Sequence, residues 1–221
     1  MDIAKYKAVL FDMDGTLLDS EGFYYQVWTS VLDEYGLKVG MDVWMGSLVG
    51  KTDEQTLAFL QRHYGFDIDP ATFHARVEER MAVLATSTQV PLMPGAELLL
   101  DYLQDQGVTL ALVTSSSRAG ATHHLAPHGL LDIFSVIVTR DDVKRPKPDA
   151  EPYELAVRQV GLPKEHCLAL EDSATGARSA KTAGIACFGV QSHDEIRRQM
   201  EVDRLFTDLG EVLRYLEVCV G

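Results

Sequence analysis

Short runs of apolar residues along the chain end abruptly on polar ones. Ala8 to Phe11 stops at Asp12, Leu110 to Val113 at Thr114, Val136 to Val138 at Thr139, and Leu168 to Leu170 at Glu171. Runs this short, with no polar alternation, are the pattern of strands buried on both faces. Segments of helical period separate them. Ala96 to Gln106 sets Leu98, Leu99, Tyr102 and Leu103 on one face and meets Gly107 as its stop, while Ala174, Ala177, Ala180 and Ala183 recur between a capping Ser173 and Gly184. Strands alternating with helices predict an α/β fold with a Rossmann-like parallel sheet. Open parallel sheets bind ligands at the carboxyl ends of their strands, so the polar residues that close the four runs are expected to meet in one crevice.

The interval between the first two runs is far too long for one crossover, and only its last part, from Pro94, is needed for that purpose. Something is inserted. Phe23 to Tyr35 carries Val27, Val31 and Leu32 at helical spacing, Thr52-Asp53-Glu54-Gln55 is a capping-box pattern before Leu57, Leu60 and Tyr64, and a third helix with Phe73, Val77, Met81 and Leu84 follows Pro70. The expected organisation is a core of residues 1–19 and 92–221 and an all-helical cap domain of residues 20–91, hinged near Leu18 to Glu21 and Gln89 to Gly95.

Composition narrows the partners. The chain has 221 residues, 46% of them hydrophobic, which is ample for a core without disulfides or a structural metal. Against 20 Lys and Arg stand 33 Asp and Glu, a net charge of −13, so nothing favours nucleic acid or an anionic membrane. No obligate protein partner is evident. Cys167, Cys187 and Cys219 lack metal or disulfide spacing, and the first two sit in strand-like runs as small hydrophobes. With a first apolar run too short for a signal peptide and no membrane-spanning run, the expectation is a soluble protein in the reducing cytoplasm.

Asp12-Met13-Asp14-Gly15-Thr16 places two carboxylates at a strand end, with Gly15 permitting close backbone approach to a ligand. Alone it reads more readily as an acidic turn, because acidic turn residues are common and short motifs match by chance. Glu171-Asp172 supplies two more carboxylates at another strand end, and such oxygen donors suit magnesium, which takes one or two carboxylates beside water and substrate phosphate. Thr114-Ser115-Ser116-Ser117 offers hydroxyls and free backbone N–H groups before a helix near Arg118, a setting that suits a phosphate. Arg145-Pro146-Lys147-Pro148-Asp149 adds a cation whose backbone the prolines restrain. Two other patterns weigh less. Gly50-Lys51-Thr52 resembles the end of a P-loop, but Met45 occupies the place of its first glycine, and Pro127 interrupts the metal-like spacing of His124 and His128. Trp28 and Trp44 read as packing.

In order and interval, Asp12 to Thr16, Thr114, Lys147 and Glu171-Asp172 resemble the four signatures of the haloacid dehalogenase superfamily, and core plus insertion cover essentially the whole chain. The resemblance is to the branch of capped phosphatases and beta-phosphoglucomutase-like enzymes. It implies that Asp12 is the nucleophile, Asp14 the general acid and base, and that Thr114 and Lys147 hold the phosphoryl group, with Gly15 and Ser115 beside them. It also implies a Mg2+ ion held by Asp12, the Asp14 carbonyl and Asp172, with Glu171 as a further ligand, and a cap loop whose Lys51 touches substrate. Elementary electrostatics agrees, because a carboxylate attacking an anionic phosphoryl group needs cations to offset the repulsion and an acid for the leaving alcohol.

The expected activity is Mg2+-dependent hydrolysis of a small phosphorylated metabolite such as a sugar phosphate, through an aspartyl-phosphate on Asp12. A sugar phosphomutase is the nearest alternative, but Tyr24 and Asp53 stand where mutases of this type have His and Arg. Asp14 argues against dehalogenase and phosphonatase branches. A receiver-like phosphoacceptor switch would be shorter, uncapped and without a second Asp two residues on.

Overall fold

The computed structural model describes residues 5–48, 53–85 and 88–220. In chain order these form β1 (Ala8–Phe11), α1 (Glu21–Glu34), a short α2 (Met41–Val43) continuing into a π-helical stretch Trp44–Leu48, α3 (Asp53–Tyr64), α4 (Pro70–Ala85) and α5 (Ala96–Asp105). Then come β2 (Thr109–Val113), α6 (Arg118–Leu125), β3 (Val136–Val138), α7 (Glu151–Val160) and β4 (Cys167–Glu171). The chain closes with α8 (Ala174–Thr182), β5 (Ala186–Val190), α9 (Asp194–Arg197), β6 (Arg204–Phe206) and α10 (Leu209–Val220). It divides into two compact units, Met1–Asp19 with Pro91–Gly221, and Ser20–Val90.

The first unit is a six-stranded parallel sheet of order β3-β2-β1-β4-β5-β6. The order reverses between β1 and β4, which is where an open parallel sheet leaves a crevice at its carboxyl edge. Phe11 is level with Leu112 on one side and with Leu170 on the other, so Asp12, Val113 and Glu171 share the next rung. Strand side chains alternate between faces. Ala8 and Leu10, Ala111 and Val113, and Cys167 and Ala169 all pack into one cluster with Tyr153 and Ala156 of α7 and Ala177 and Ala180 of α8. Continuing that alternation sends Asp12 and Glu171 to the same face.

The small residues of α8 are buried on the sheet as their spacing implies, and Ser173 caps the helix by accepting from the Gly176 N–H. The α5 stripe is shifted from expectation. Ala96, Leu99, Leu100 and Leu103 are buried while Leu98 is 65% exposed, because i, i+3, i+4 from Ala96 selects Leu99 and Leu100. β6, which no apolar run announces, joins β5 as a three-residue edge strand.

In the second unit, Phe23, Val27, Trp28, Val31 and Leu32 form the buried stripe of α1. Trp28 packs at a tilt against Phe73 of α4, 4.9 Å between centroids, and against Trp44 at 5.9 Å. Leu57 and Leu60 of α3 are buried, but Tyr64 at its end is exposed, lying past the last turn that packs. The Thr52 capping-box residue lies outside the described residues, and among those described no helix is long and apolar enough to cross a membrane.

Candidate active site

The shared rung builds the site. The Lys147 ammonium donates to Asp12 Oδ1, to the Val113 carbonyl and to Glu171 Oε1, each at 2.7 Å. An ammonium has three donors, and all three are used on one row of the sheet. The turn that delivers Lys147 is fastened by Glu151 at the start of α7, which accepts from the Lys144 and Arg145 N–H groups and from Arg145 Nε. The Lys147 side chain is 4% exposed.

After Asp12, whose N–H is bonded to the Leu170 carbonyl at 2.9 Å, the chain curls: Leu17 and Leu18 N–H both reach the Met13 carbonyl. Gly15 sits in this curl at φ +79°, and a Cβ on it would fall 2.2 Å from Asp172 Oδ2, so the missing side chain lets Asp172 approach. Asp14 accepts from the Ser116 hydroxyl at 2.7 Å. Thr114, buried at the end of β2, accepts from the Ser116 N–H through its own hydroxyl, while Ser115 is exposed at the tip of the same loop.

Glu171 is fully buried and receives a second hydrogen bond on Oε1, from the Tyr153 hydroxyl at 2.6 Å. Its Oε2 is buried with no hydrogen-bond partner among the described residues. Burial, only partly offset by Lys147, lifts the Glu171 carboxyl to about 7, and burial likewise raises that of Asp12 despite Lys147. Lys147 is shifted the other way from what desolvation favours: its burial disfavours charge, but Asp12 and Glu171 outweigh it and raise its pKa.

A divalent cation fits this chemistry. Asp12, Glu171 and Asp172 each bring one carboxylate oxygen to within 4.8 Å of the others, an all-oxygen set of the kind magnesium prefers. One ammonium faces this crowd of carboxylates, so a further positive charge would restore the ionised forms that burial opposes. The Asp14 side chain stands outside that set, and the His124 and His128 pair is not part of any such group among the described residues.

The structure thus brings together Asp12, Asp14, Gly15, Thr114, Lys147, Glu171 and Asp172 at one end of the sheet. Lys51 lies outside the described residues. Sequence reasoning did not single out Ser116 as the hydroxyl on Asp14, nor Tyr153 at all. Tyr153 carries no signal of its own in the sequence, since which helix covers the Glu171 face is decided by the fold.

Strand-end carboxylates, a hydroxyl loop and a buried ammonium thus meet at the reversal point of a parallel α/β sheet. The model of the haloacid dehalogenase-like hydrolase family matches residues 9–190, which include every residue of this cluster, and the chain belongs to that family. It is 33% identical to validoxylamine A 7'-phosphate phosphatase of Streptomyces hygroscopicus subsp. limoneus, over 94% of this chain and 96% of that protein. It is 32% identical to the phosphorylated carbohydrates phosphatase of Thermotoga maritima, over 81% and 82%. The crystal structure of CbbY from Rhodobacter sphaeroides in complex with phosphate superposes with a TM-score of 0.76 at 28% identity, covering 96% of this chain and 99% of that one. Relatives of this identity and coverage put the chain among the phosphatases of the family.

Proposed function

We propose that the protein is a cytoplasmic Mg2+-dependent phosphomonoester hydrolase that works through an aspartyl-phosphate on Asp12, with a small sugar phosphate as substrate. The observation that carries the reading is the 2.7 Å contact of the buried Lys147 ammonium with Asp12 Oδ1, which fixes a positive charge beside a strand-end carboxylate. Phosphatase relatives named for a phosphorylated carbohydrate and for validoxylamine 7'-phosphate support the substrate class. Buried free Cys167 and Cys187 fit a reducing compartment.

Asp12 attacks phosphorus, the P–O bond to the alcohol breaks, and Asp14 donates its proton to the departing oxygen. Asp14 then takes a proton from water as that water attacks the acyl phosphate, releasing inorganic phosphate and restoring the Asp12 carboxylate. Lys147 and the Thr114 to Ser116 loop hold the phosphoryl oxygens as charge shifts onto them. Asp12, the Asp14 carbonyl, Asp172 and Glu171 would hold the Mg2+, which supplies Lewis-acid stabilisation of the transferring group.

The test is steady release of phosphate from p-nitrophenyl phosphate and from a panel of sugar phosphates, abolished by chelation and restored by Mg2+. Turnover that survives complete chelation would contradict the metal role. Primed interconversion of glucose 1-phosphate and glucose 6-phosphate faster than phosphate release would replace the hydrolase with a mutase.

A further inference from the structure

Lys147 has three acceptors, and they are not equally secure. The Val113 carbonyl belongs to β2 and cannot move without the sheet. Asp12 is the group that attacks phosphorus, so its oxygen is committed elsewhere during reaction. Glu171 is a side chain with three rotatable bonds, and the hold it exerts on Lys147 is only as firm as its own.

Two features fix Glu171. The Tyr153 hydroxyl donates to the same Oε1 that accepts from Lys147, and the Tyr153 ring lies 5.2 Å from the Lys147 ammonium. On the other side, Gly176 in the first turn of α8 leaves room for the carboxylate: a Cβ there would fall 1.8 Å from Glu171 Oε2. Tyr153 is fully buried on α7, so its hydroxyl has no water to exchange with and its place is set by packing.

We propose that Tyr153 is a positioning residue for Lys147: through Glu171 it locks the ammonium on the Asp12 rung, at the place where the phosphoryl oxygens are gripped. The proposal deepens the phosphatase reading and rests on it.

The experiment is Tyr153→Phe, which removes one oxygen and keeps the ring. Three quantities are read on the folded variant: kcat for p-nitrophenyl phosphate, the affinity for inorganic phosphate by calorimetry at saturating Mg2+, and the Mg2+ affinity by calorimetry. We expect kcat and phosphate affinity to fall roughly 10- to 100-fold, the loss usual when an orienting partner is removed, and Mg2+ affinity, to which Glu171 also contributes, to fall by less than either. In a Lys147→Ala background the same substitution is expected to leave phosphate affinity unchanged, because a group that acts through the lysine has nothing left to orient. Gly176→Ala, which pushes Glu171 from its seat by another route, should weaken phosphate binding in the same way and serves if Tyr153→Phe does not fold.

Loss of thermal stability with wild-type kcat and phosphate affinity would overturn the proposal. So would an undiminished effect in the Lys147→Ala background, or a fall in Mg2+ affinity with phosphate affinity intact. A wild-type protein that binds phosphate but hydrolyses no ester would sink the phosphatase reading alone, since the binding measurements need no turnover. One that binds no phosphate would sink both.

Discussion

The strand-end rung of the sheet and the helical unit of Ser20–Val90 are held together by different means. On the rung the functional groups are placed by directional hydrogen bonds: Lys147 to three acceptors, the Asp12 N–H to the Leu170 carbonyl, Asp14 to the Ser116 hydroxyl. The helical unit is held by rings. Trp28, Trp44, Phe66 and Phe73 form a chain of contacts between 4.9 and 5.9 Å, while side-chain hydrogen bonds such as Gln61 to Asp67 and Arg76 to Glu79 lie on its exposed surface. Directional bonds place atoms to within fractions of an ångström, as catalysis requires, whereas packing fixes volume and leaves surface residues free to vary. A reaction class is therefore written on the sheet, and the choice of ester is not.

The widest gap between the two regions should come from Asp12→Asn. The amide keeps the shape but is a poor nucleophile and a neutral metal ligand, so turnover is expected to fall by at least about 1,000-fold while circular dichroism and the unfolding midpoint stay near wild type. Near-normal phosphate release would break the assignment of Asp12. Next in size is Phe73→Ala, which empties the centre of the ring cluster. It should cost about 3–5 kcal/mol of stability in denaturant titration, yet leave the Asp12 chemistry in place, with kcat for p-nitrophenyl phosphate within a few-fold of wild type below the midpoint. A loss of kcat as deep as that of Asp12→Asn in a folded Phe73→Ala protein would show that the two regions are not separable.

The smallest effect concerns Asp142, which holds the loop after β3. Its partial burial works to raise its pKa, but the Thr139 N–H and hydroxyl, at 2.8 and 2.7 Å, and Arg118 win and lower it below the model-peptide value of 3.8. A depressed carboxyl contributes stability that is complete above 3.8 and disappears as the pH falls through the folded value. Asp142→Asn, which cannot ionise, should cost about 1 kcal/mol at neutral pH and show a flatter fall in stability below pH 4. An acid limb identical to wild type would mean that Asp142 carries no such linkage.

How far the site was legible follows from what kind of signal each residue carries. Asp12, Asp14 and Glu171-Asp172 stand where an apolar run breaks, and Lys147 stands between two prolines, so each is marked by its immediate neighbours. Ser116 is not. Thr114 to Ser117 offers four hydroxyls in a row, and only the loop conformation decides that Ser116 turns to Asp14 while Ser115 faces solvent. Tyr153 was hidden for another reason: a buried tyrosine on a helix has the same periodic signature whether its hydroxyl is used or merely tolerated. In the fold, the same limit explains Leu98, a leucine inside a leucine-rich stretch whose exposure depends on the rotation of α5 by a single position. β6 was invisible because Arg204-Leu205-Phe206 is short, half-exposed and opens on a charge.

The two ends of the helical insertion are pinned side by side within the sheet unit: Leu18 bridges Leu92 antiparallel, the Asp19 N–H reaches the Pro91 carbonyl at 2.8 Å, and the Met93 N–H reaches Leu17 at 2.8 Å. To the sheet, everything between those bonds is a closed loop. The entropy of closing a loop grows only with the logarithm of its length, so an insertion ten times shorter would shift the balance by only about 2 kcal/mol. The clasp makes the sheet nearly indifferent to what it encloses, and lineages of this fold can trade one insertion for another without re-inventing the residues beneath.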